Sequence, residues 1–283
     1  MQLQTNLLQI ELLKKFLDSS LQEDHGIKGD ITSNALIKNE IIVNFTIISR
    51  EEAIICGIPI AEYFLQNYSN IEYKTTLNDG GKVAAGSNLI TGRGKAKQIL
   101  FLERVILNYL QHLSGVATIT NKYVLAISGT KAKIYDTRKT LPLYRTMQKY
   151  AVICGGGHNH RLCLDSGILI KDNHIAICGG IKEALVKAKA NKPHYTQIEI
   201  ECDTLEQVRE AIEEGVDIIM LDNMSLEKLQ TAVNLINGKS LIEVSGGISL
   251  ENVNNIAKVG VDIISVGKLT HSAPAVDIGL DIY

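Results

Sequence analysis

No apolar run in this sequence approaches the ~18 residues that a membrane-spanning helix requires. The chain also lacks an excess of either charge. Its 29 basic and 31 acidic side chains leave a formal net charge of −2, which excludes the broad basic face that binds nucleic acid or a membrane surface. Cysteine is scarce, and its five residues have no regular spacing, so the sequence indicates no disulfide framework.

The N-terminal segment places leucines at helical spacing among acids and lysines, without the order of basic, apolar and small-residue regions that a signal peptide has. A length of 283 residues, with 45% hydrophobic and 21% charged residues, is typical of a globular protein with one large domain or two ordinary ones. We therefore expect a cytoplasmic protein that binds neither nucleic acid nor membranes.

The first third of the chain predicts a small unit of helices and strands. The apolar spacing predicts a helix over 7–21, a β-branched strand over 41–50 and a short helix over 58–67, followed by strand pieces between 71 and 93. The long helical segment 96–127 is apolar on more than one side. Such a helix is buried against a core or a partner subunit.

From Lys131 onward, short apolar runs alternate with helical patterns. The runs occupy 133–136, 167–172, 197–201, 218–222, 241–245 and 263–267, and the helical patterns occupy 180–191, 204–214, 225–236 and 250–259. Thr204, Ser225 and Ser249 stand where helix N-caps are expected. This alternation predicts parallel βα units, as in a barrel or a doubly wound sheet.

Polar residues or glycine follow the apolar runs, and this favours the barrel. Active sites of such barrels lie at the C-terminal ends of the strands. The residues at or just past these ends are Asp136, Lys171, Glu201, Asp222, Ser245 and Gly267. The last two turns, 245–249 and 265–272, are rich in glycine, and such turns hold a phosphate on backbone N–H groups.

Positive charge is concentrated between Lys131 and His174, where eight Lys or Arg and three Asp or Glu give a local charge of +5. The segment predicts a pocket for several anionic groups. Arg138 and Lys139 follow a predicted strand and form a fork for a carboxylate or phosphate, with the Thr137 hydroxyl adding a contact. His160 and Arg161 follow three glycines and are further candidate anion ligands.

Several residues here allow two interpretations. Cys154, His158, His160 and Cys163 could imitate a zinc site, but their spacing is unfamiliar and Arg161 would repel a cation. Lys171 is either an anion ligand or a Schiff-base nucleophile of the aldolase type. His158 and His174 are assigned either to packing or to the pocket.

Glu201 and Asp222 end consecutive strand units, and paired carboxylates facing a basic pocket hold ribose hydroxyls, bind Mg²⁺ or stabilise a developing cation. Glu199 should point away from Glu201 or lie in a different layer. Glu103 and Arg104, within the apolar helix, form either an internal ion pair or an interface, in which Arg104 reaches a neighbouring subunit's pocket.

Nine segments of the chain, taken together and in this order, resemble one family. They are EDHGIKGDITS, ERVILNYLQHLSGVAT, DTRKT, KYAVICGGGHNHR, LIKDNH, IEIE, MLDN, SGGI and GVDIISVGKLTHS. The family is that of the decarboxylating quinolinate phosphoribosyltransferases, also called nicotinate-nucleotide pyrophosphorylases. The resemblance implies transfer of the phosphoribosyl group of phosphoribosyl pyrophosphate (PRPP) to quinolinate in de novo NAD synthesis, with Mg²⁺ accompanying PRPP.

The resemblance also implies a small N-terminal α/β sandwich domain, residues 1–112, followed by an incomplete TIM-like α/β barrel, residues 113–271. The tail 272–283 would pack back on the first domain. The family's active sites are completed across subunits, so we expect a homodimer or a larger homo-oligomer. By this analogy Arg104 enters the partner's site.

The resemblance assigns roles to the residues identified above. Quinolinate carboxylates and PRPP phosphates would be held by Arg138, Lys139, His160, Arg161 and Lys171. Glu201 and Asp222 would lie near the ribose and its Mg²⁺, and with Lys139 and Lys171 they form the candidate catalytic set. The 5′-phosphate would be cradled by Ser245, Gly246, Gly247, Ser265, Val266 and Gly267.

Two positions depart from the family pattern: Leu143, within LPLYR at 141–145, replaces a glycine, and Cys163 replaces a small residue without a thiol. Two other functions stay open at this point. One is an aldolase-like enzyme that forms a Schiff base on Lys171, and the other is a barrel that binds phosphorylated ligands without catalysis.

Overall fold

The computed structural model describes residues 8–283, and these residues form two compact units. The first contains the chain up to Asn121 together with Thr146–Gly156 and Ala273–Tyr283, and the second contains Lys122–Arg145 and Gly157–Ser272. The predicted domain limits, 1–112 and 113–271, stay a prediction. Within the described part of the chain, no helix has both the length and the apolar character needed to cross a membrane.

The first unit is built on a four-stranded antiparallel sheet. Its helices are α1 (Ile10–His25), α2 (Ile31–Leu36), α3 (Ile58–Tyr68), most of α4 (Ala96–Ala126) and nearly all of α5 (Arg145–Cys154). Its strands are β1 (Ile42–Ser49), β2 (Ala53–Ile54), β3 (Glu72–Thr75), β4 (Lys82–Val83), β5 (Ser87–Lys95) and β12 (Ile278–Ile282). The sheet order is β12-β1-β5-β3, and β2 pairs separately with β4.

The predicted helix at 7–21 is present as α1, but it begins at residue 10 and ends at 25, and position 7 lies outside the described residues. The strand at 41–50 and the helices at 58–67 and 96–127 are confirmed within a residue at each end. The last strand of the chain, β12, pairs antiparallel with β1 from Phe45 to Ser49.

The second unit is a six-stranded parallel sheet with intervening helices. Its strands are β6 (Lys133–Tyr135), β7 (Ile168–Ile170), β8 (Ile198–Cys202), β9 (Ile218–Asp222), β10 (Leu241–Ser245) and β11 (Ile263–Ser265). Its helices are α6 (Asp172–Cys178), α7 (Ile181–Asn191), α8 (Leu205–Glu214), α9 (Leu226–Ile236), α10 (Val253–Lys258) and α11 (Lys268–His271).

The strand order β6-β11-β10-β9-β8-β7 places the first two strands of the unit at opposite edges of the sheet. A closed barrel of this type has eight strands. Here six are present, and the segment after α5 adds only an isolated parallel bridge between His158 and Tyr135. The predicted fold class, an α/β protein with a small domain and an incomplete TIM-like barrel, is confirmed.

The predicted N-caps are right for two helices and wrong for one. The Thr204 hydroxyl accepts the Gln207 N–H at 3.2 Å, and the Ser225 hydroxyl accepts the Lys228 N–H at 3.4 Å. Ser249 does not cap a helix, because residues 250–252 form a turn and α10 begins only at Val253. The Ser249 carbonyl instead accepts the Val253 N–H at 3.0 Å.

Leu143 adopts a backbone conformation that favours glycine. Its φ is 64°, in the left-handed region where a β-carbon crowds the following carbonyl, and its side chain is 80% exposed. The side chain therefore gains little from burial while the backbone is strained. This geometry explains why a glycine suits the position in the family pattern.

We expect Leu143→Gly to raise the free energy of unfolding by about 0.5–1 kcal/mol, because relief of the left-handed strain exceeds the entropy that glycine adds to the unfolded chain. Chemical denaturation measures the change. Leu141→Gly is the matched control, since Leu141 is also exposed and has no positive φ, and it should lower stability. Equal loss of stability in both variants would contradict the strain.

Candidate active site

A cavity of about 370 Å³ lies at the C-terminal ends of the strands of the second unit. It is lined by Thr137, Arg138, Lys139, His160, Arg161, Leu169, Lys171, Glu201, Met220, Asp222, Glu243, Ser245 and Ser265. The structure thus brings together four cationic and three acidic side chains from the ends of β6, β7, β8 and β9, from the middle of β10 and from the loop before β7. This is the place where barrel folds carry their active sites.

The loop after β6 carries Thr137, Arg138 and Lys139. The Thr137 hydroxyl accepts the Lys139 N–H at 3.0 Å, and the Thr270 hydroxyl donates to the Lys139 carbonyl at 2.8 Å. These bonds fix the backbone of the loop from both sides. The buried Nε of Arg138 has no hydrogen-bond partner among residues 8–283, so one donor of the guanidinium is available to an anion.

The loop before β7 carries His160 and Arg161. Asp136, which is fully buried at the end of β6, accepts the His160 N–H at 2.9 Å through Oδ1. Its own N–H donates to the His158 carbonyl at 3.1 Å. The Arg161 guanidinium donates to the Gly167 carbonyl at 3.0 Å, which directs the side chain along the cavity wall.

The His160 ring is engaged at both nitrogens. Nδ1 accepts the Arg161 N–H at 2.7 Å, so in the neutral ring the proton resides on Nε2. Nε2 lies 3.1 Å from Oε2 of Glu199 and 3.5 Å from Oε1 of Glu243. The ring therefore connects the basic loop to two buried carboxyl groups below it.

Glu199 and Glu201 alternate on β8 and face the same side of the strand, at different depths. Glu199 is buried and contacts His160, whereas Glu201 lies at the cavity mouth. Of the two placements expected for Glu199, the different layer is correct. Burial and the neighbouring Glu199 carboxylate raise the pKa of Glu243 well above its usual range.

Lys171 and Glu201 form an ion pair, with Nζ 2.6 Å from Oε2. Asp222 accepts a hydrogen bond from Nδ2 of Asn223 at 2.6 Å. Asn223 has a φ of 50°, and a β-carbon added to Gly246 would lie 2.2 Å from its Oδ1. Gly246 is thus required where the turn after β10 approaches the Asp222 end of β9.

The carboxylate oxygens of Glu201, Asp203 and Asp222 lie within 4.8 Å of one another. Carboxylate oxygens are hard ligands of the kind that Mg²⁺ prefers. The residues present therefore fit a magnesium ion. Asp203 was missed by the sequence analysis because it lies just beyond β8 and resembles an ordinary loop acid.

Arg145 is a second residue that the sequence analysis missed. Its guanidinium donates to the Thr140 hydroxyl at 3.1 Å, to the Leu162 carbonyl at 3.3 Å and to the Arg138 carbonyl at 3.5 Å. It therefore ties the two basic loops together. The sequence feature that could have identified Arg145 is its position as the last residue of LPLYR, at the start of a helix.

Burial and repulsion from Arg138 lower the pKa of Arg161, while Glu199 opposes that change. An arginine remains charged at neutral pH after such a shift, because its ordinary pKa exceeds ~12. The cavity therefore keeps its cations close together against their mutual repulsion, and an anionic ligand would relieve it.

Other sequence candidates lie elsewhere or serve local structure. His158 stacks on Tyr135 with ring centroids 5.2 Å apart, and Nδ1 of His174 accepts the Lys171 N–H at 3.0 Å. The four candidate zinc ligands do not form one set, because the ring of His160 faces Glu199 and Glu243 while Cys163 is exposed. Arg104 is an exposed residue of the first unit, and its proposed role stays a prediction.

The sequence matches the C-terminal domain of quinolinate phosphoribosyl transferase over residues 116–281 and the N-terminal domain of the same family over residues 30–114. The probable nicotinate-nucleotide pyrophosphorylase (carboxylating) of Methanocaldococcus jannaschii is 46% identical, with 95% of this chain and 96% of that protein covered. The nicotinate-nucleotide pyrophosphorylase (carboxylating) of Mycobacterium leprae is 41% identical, with coverage of 93% and 94%.

Solved structures agree with the sequence relatives. The crystal structure of nicotinate-nucleotide pyrophosphorylase from Ehrlichia chaffeensis has a TM-score of 0.91 and 46% identity, with 95% of this chain and 98% of that chain covered. The corresponding enzyme from Francisella tularensis gives a TM-score of 0.91 at 42% identity, with 96% of each chain covered. This chain belongs to the quinolinate phosphoribosyltransferase family, and the resemblance seen in the nine sequence segments is confirmed.

We expect Glu243→Gln to remove a pH-dependent loss of stability. The folded state holds the Glu243 proton more tightly than the unfolded chain, so wild-type stability falls as pH rises above about 4.3, the ordinary glutamate pKa. The loss should have a slope of at most about 1.4 kcal/mol per pH unit and should end above the raised pKa.

Urea denaturation of wild type and variant measures the difference in the free energy of unfolding. The measurements should run from about pH 5 to about pH 8, because the pKa of a buried glutamate can rise by several units. The free energy of unfolding of the variant should exceed that of wild type by an amount that grows as pH rises. Glu227→Gln on the exposed face of α9 is the control for loss of one carboxylate. Parallel curves for wild type and Glu243→Gln would contradict the raised pKa.

Proposed function

We propose that this protein transfers the phosphoribosyl group of PRPP to quinolinate with decarboxylation, giving nicotinate mononucleotide, pyrophosphate and CO₂ in de novo NAD biosynthesis. The observation that carries the proposal is the convergence of Arg138, Lys139, Arg161 and Lys171 on one cavity with paired carboxylates at its mouth. Two substrates with several negative charges each need such a pocket, and the relatives described above carry names that fit this activity.

The cationic side chains bind and orient the two anions. Arginine forks match carboxylate and phosphate oxygens, so Arg138 and Arg161 suit the two quinolinate carboxylates, with Lys139 and Lys171 as compact charges beside them. The turns 245–247 and 265–267 offer backbone N–H groups to the 5′-phosphate, except for the N–H of Val266, which already donates to the Tyr135 carbonyl at 2.9 Å. Positioning two mutually repelling substrates in contact is a large part of the catalytic effect.

The pyridine nitrogen attacks C1 of the ribose, the C1–O bond to pyrophosphate breaks, and positive charge develops on the sugar ring. The carboxylates of Glu201 and Asp222 stabilise this charge. The ring nitrogen then carries a positive charge, which stabilises the electron pair left on C2 when the bond to the 2-carboxylate breaks. CO₂ leaves, and a proton takes its place at C2.

Magnesium fits the carboxylates of Glu201 and Asp222, with Asp203 as a neighbouring ligand. When bound, it neutralises the charge of the pyrophosphate leaving group. Lys171 holds Glu201 in place at 2.6 Å, so this lysine serves both the anion pocket and the acidic edge.

Release of labelled CO₂ from quinolinate labelled at its 2-carboxyl group tests the function. Release should require PRPP, and Lys139→Ala and Arg161→Ala should each reduce its rate by about a hundredfold or more while leaving the fold intact. Lys131→Ala is the control, because this exposed lysine pairs with Asp262 away from the cavity and should keep full activity. Full turnover by either pocket variant would refute the assigned roles.

The other two functions find no support in the site. A Schiff base needs a lysine amine that is free to attack a carbonyl carbon, whereas Nζ of Lys171 is held 2.6 Å from Oε2 of Glu201. Borohydride should therefore trap no substrate on Lys171. A barrel that only binds phosphorylated ligands would release no CO₂ in the assay above.

A homodimer with shared active sites follows from the family resemblance, with Arg104 completing the partner's pocket. This residue is exposed on α4, so it is available to another subunit. The cytoplasmic location expected from the sequence stays a prediction.

Subunit mixing tests the shared site. Arg104→Ala and Lys139→Ala should each be inactive alone, but a mixed dimer carries one site without either change. Equal mixing should restore about a quarter of the wild-type activity, since half of the dimers are mixed and half of their sites are intact. As a control, each single variant is mixed with itself and refolded in the same way, which measures any activity that the procedure alone restores. If the sample with both variants is no more active than this control, the shared site is contradicted.

A further inference from the structure

A second cavity, of about 450 Å³, lies at the opposite ends of the same strands. Its wall includes Ile168, Ile218, Leu241 and Ile263, which are the first residues of β7, β9, β10 and β11. The candidate active site lies at the last residues of these strands. The proposed reaction makes no use of this lower cavity.

Two buried carboxyl groups face the lower cavity. Glu199 is 5% exposed and Glu243 is 1% exposed, and Oε1 of each makes no hydrogen bond within the described part of the chain. Glu199 lines the lower cavity but not the upper one. Buried carboxyl oxygens without partners are costly. The proton that the raised pKa keeps on Glu243 gives the pair one donor, so a partner that brings further donors would stabilise these oxygens.

The known neighbours of the pair do not meet this need. His160 offers one N–H, from Nε2, between two carboxyl groups. A metal ion held by all three residues is disfavoured, because Nδ1 of His160 accepts the Arg161 N–H and Nε2 therefore carries the proton instead of a free lone pair. The missing partner must bring its own N–H or O–H donors.

Aromatic side chains complete the cavity wall. Tyr135 lies inside, and Tyr195 lies at the rim, where it is 95% exposed and has a φ of 65°. A strained and exposed aromatic residue at a cavity rim points to a functional role. Aromatic faces attract cations, and Glu199 and Asp165 outnumber the one arginine in the wall.

We propose that the lower cavity binds a small organic cation bearing N–H groups, of the primary ammonium or guanidinium class, which donates to Oε1 of Glu199 and Glu243. The proposal goes beyond the phosphoribosyl transfer and does not rest on it. Because His160 and Arg161 line both cavities, a cation that neutralises the charge of Glu199 below strengthens the positive field in the anion pocket above.

Calorimetric titration of the full-length protein with methylguanidinium and with methylammonium tests the site. Saturable binding of at least one probe is expected, with a matching rise in the thermal unfolding temperature. Tetramethylammonium, which has the same charge but no N–H, should bind about tenfold more weakly or not at all, because it cannot donate to the carboxyl groups. Equal binding of all three cations, or binding of none, would overturn the proposal.

Variants locate the binding. Glu199→Gln should lower the affinity for the probe by about tenfold or more, and Tyr195→Ala should lower it several-fold. Glu227→Gln on α9 should leave the affinity unchanged. Tyr195 is exposed, so its variant keeps the test decisive if Glu199→Gln fails to fold. Unchanged affinity in Tyr195→Ala and in a folded Glu199→Gln would place the probe elsewhere and refute the site. An enzyme that releases CO₂ from quinolinate yet binds no probe would refute this proposal alone.

Discussion

The candidate active site depends on holding four cationic side chains close together before any substrate arrives. Their mutual repulsion has to be opposed by the surrounding loops, and the structure supplies this through hydrogen bonds that fix those loops. Asp136 holds the loop of His160, Thr270 holds the loop of Lys139, and Arg145 joins the two loops. The pocket is therefore arranged in advance for anions, and binding need not pay again for ordering these loops.

Much of the fold could be predicted from the sequence because strands buried on both faces are apolar and helices end at recognisable residues. The strand ends at Asp222 and Ser245 and the caps at Thr204 and Ser225 follow from this local chemistry. Ser249 misled the prediction, since a serine that opens a turn and a serine that opens a helix have the same local pattern.

The site could be predicted only where a residue's position along its strand determines its place in the fold. Lys171 and Glu201 follow from the strand-end rule. Glu243 lies inside an apolar strand, and its pairing with Glu199 depends on two strands that are not neighbours in the sheet, so no spacing in the sequence indicates it. Arg145 was missed for a different reason, because two of its three acceptors are carbonyl groups, and every residue has one.

The pairing of β12 with β1 has a consequence for synthesis of the chain on the ribosome. The edge strand β12 is translated long after its partner β1, with all the barrel strands between them in the chain. Pairing across such a separation forms slowly, and until it forms β1 presents an open edge to other nascent chains. The sheet of the first unit thus cannot be completed until the barrel residues have left the ribosome, because β12 follows them in the chain.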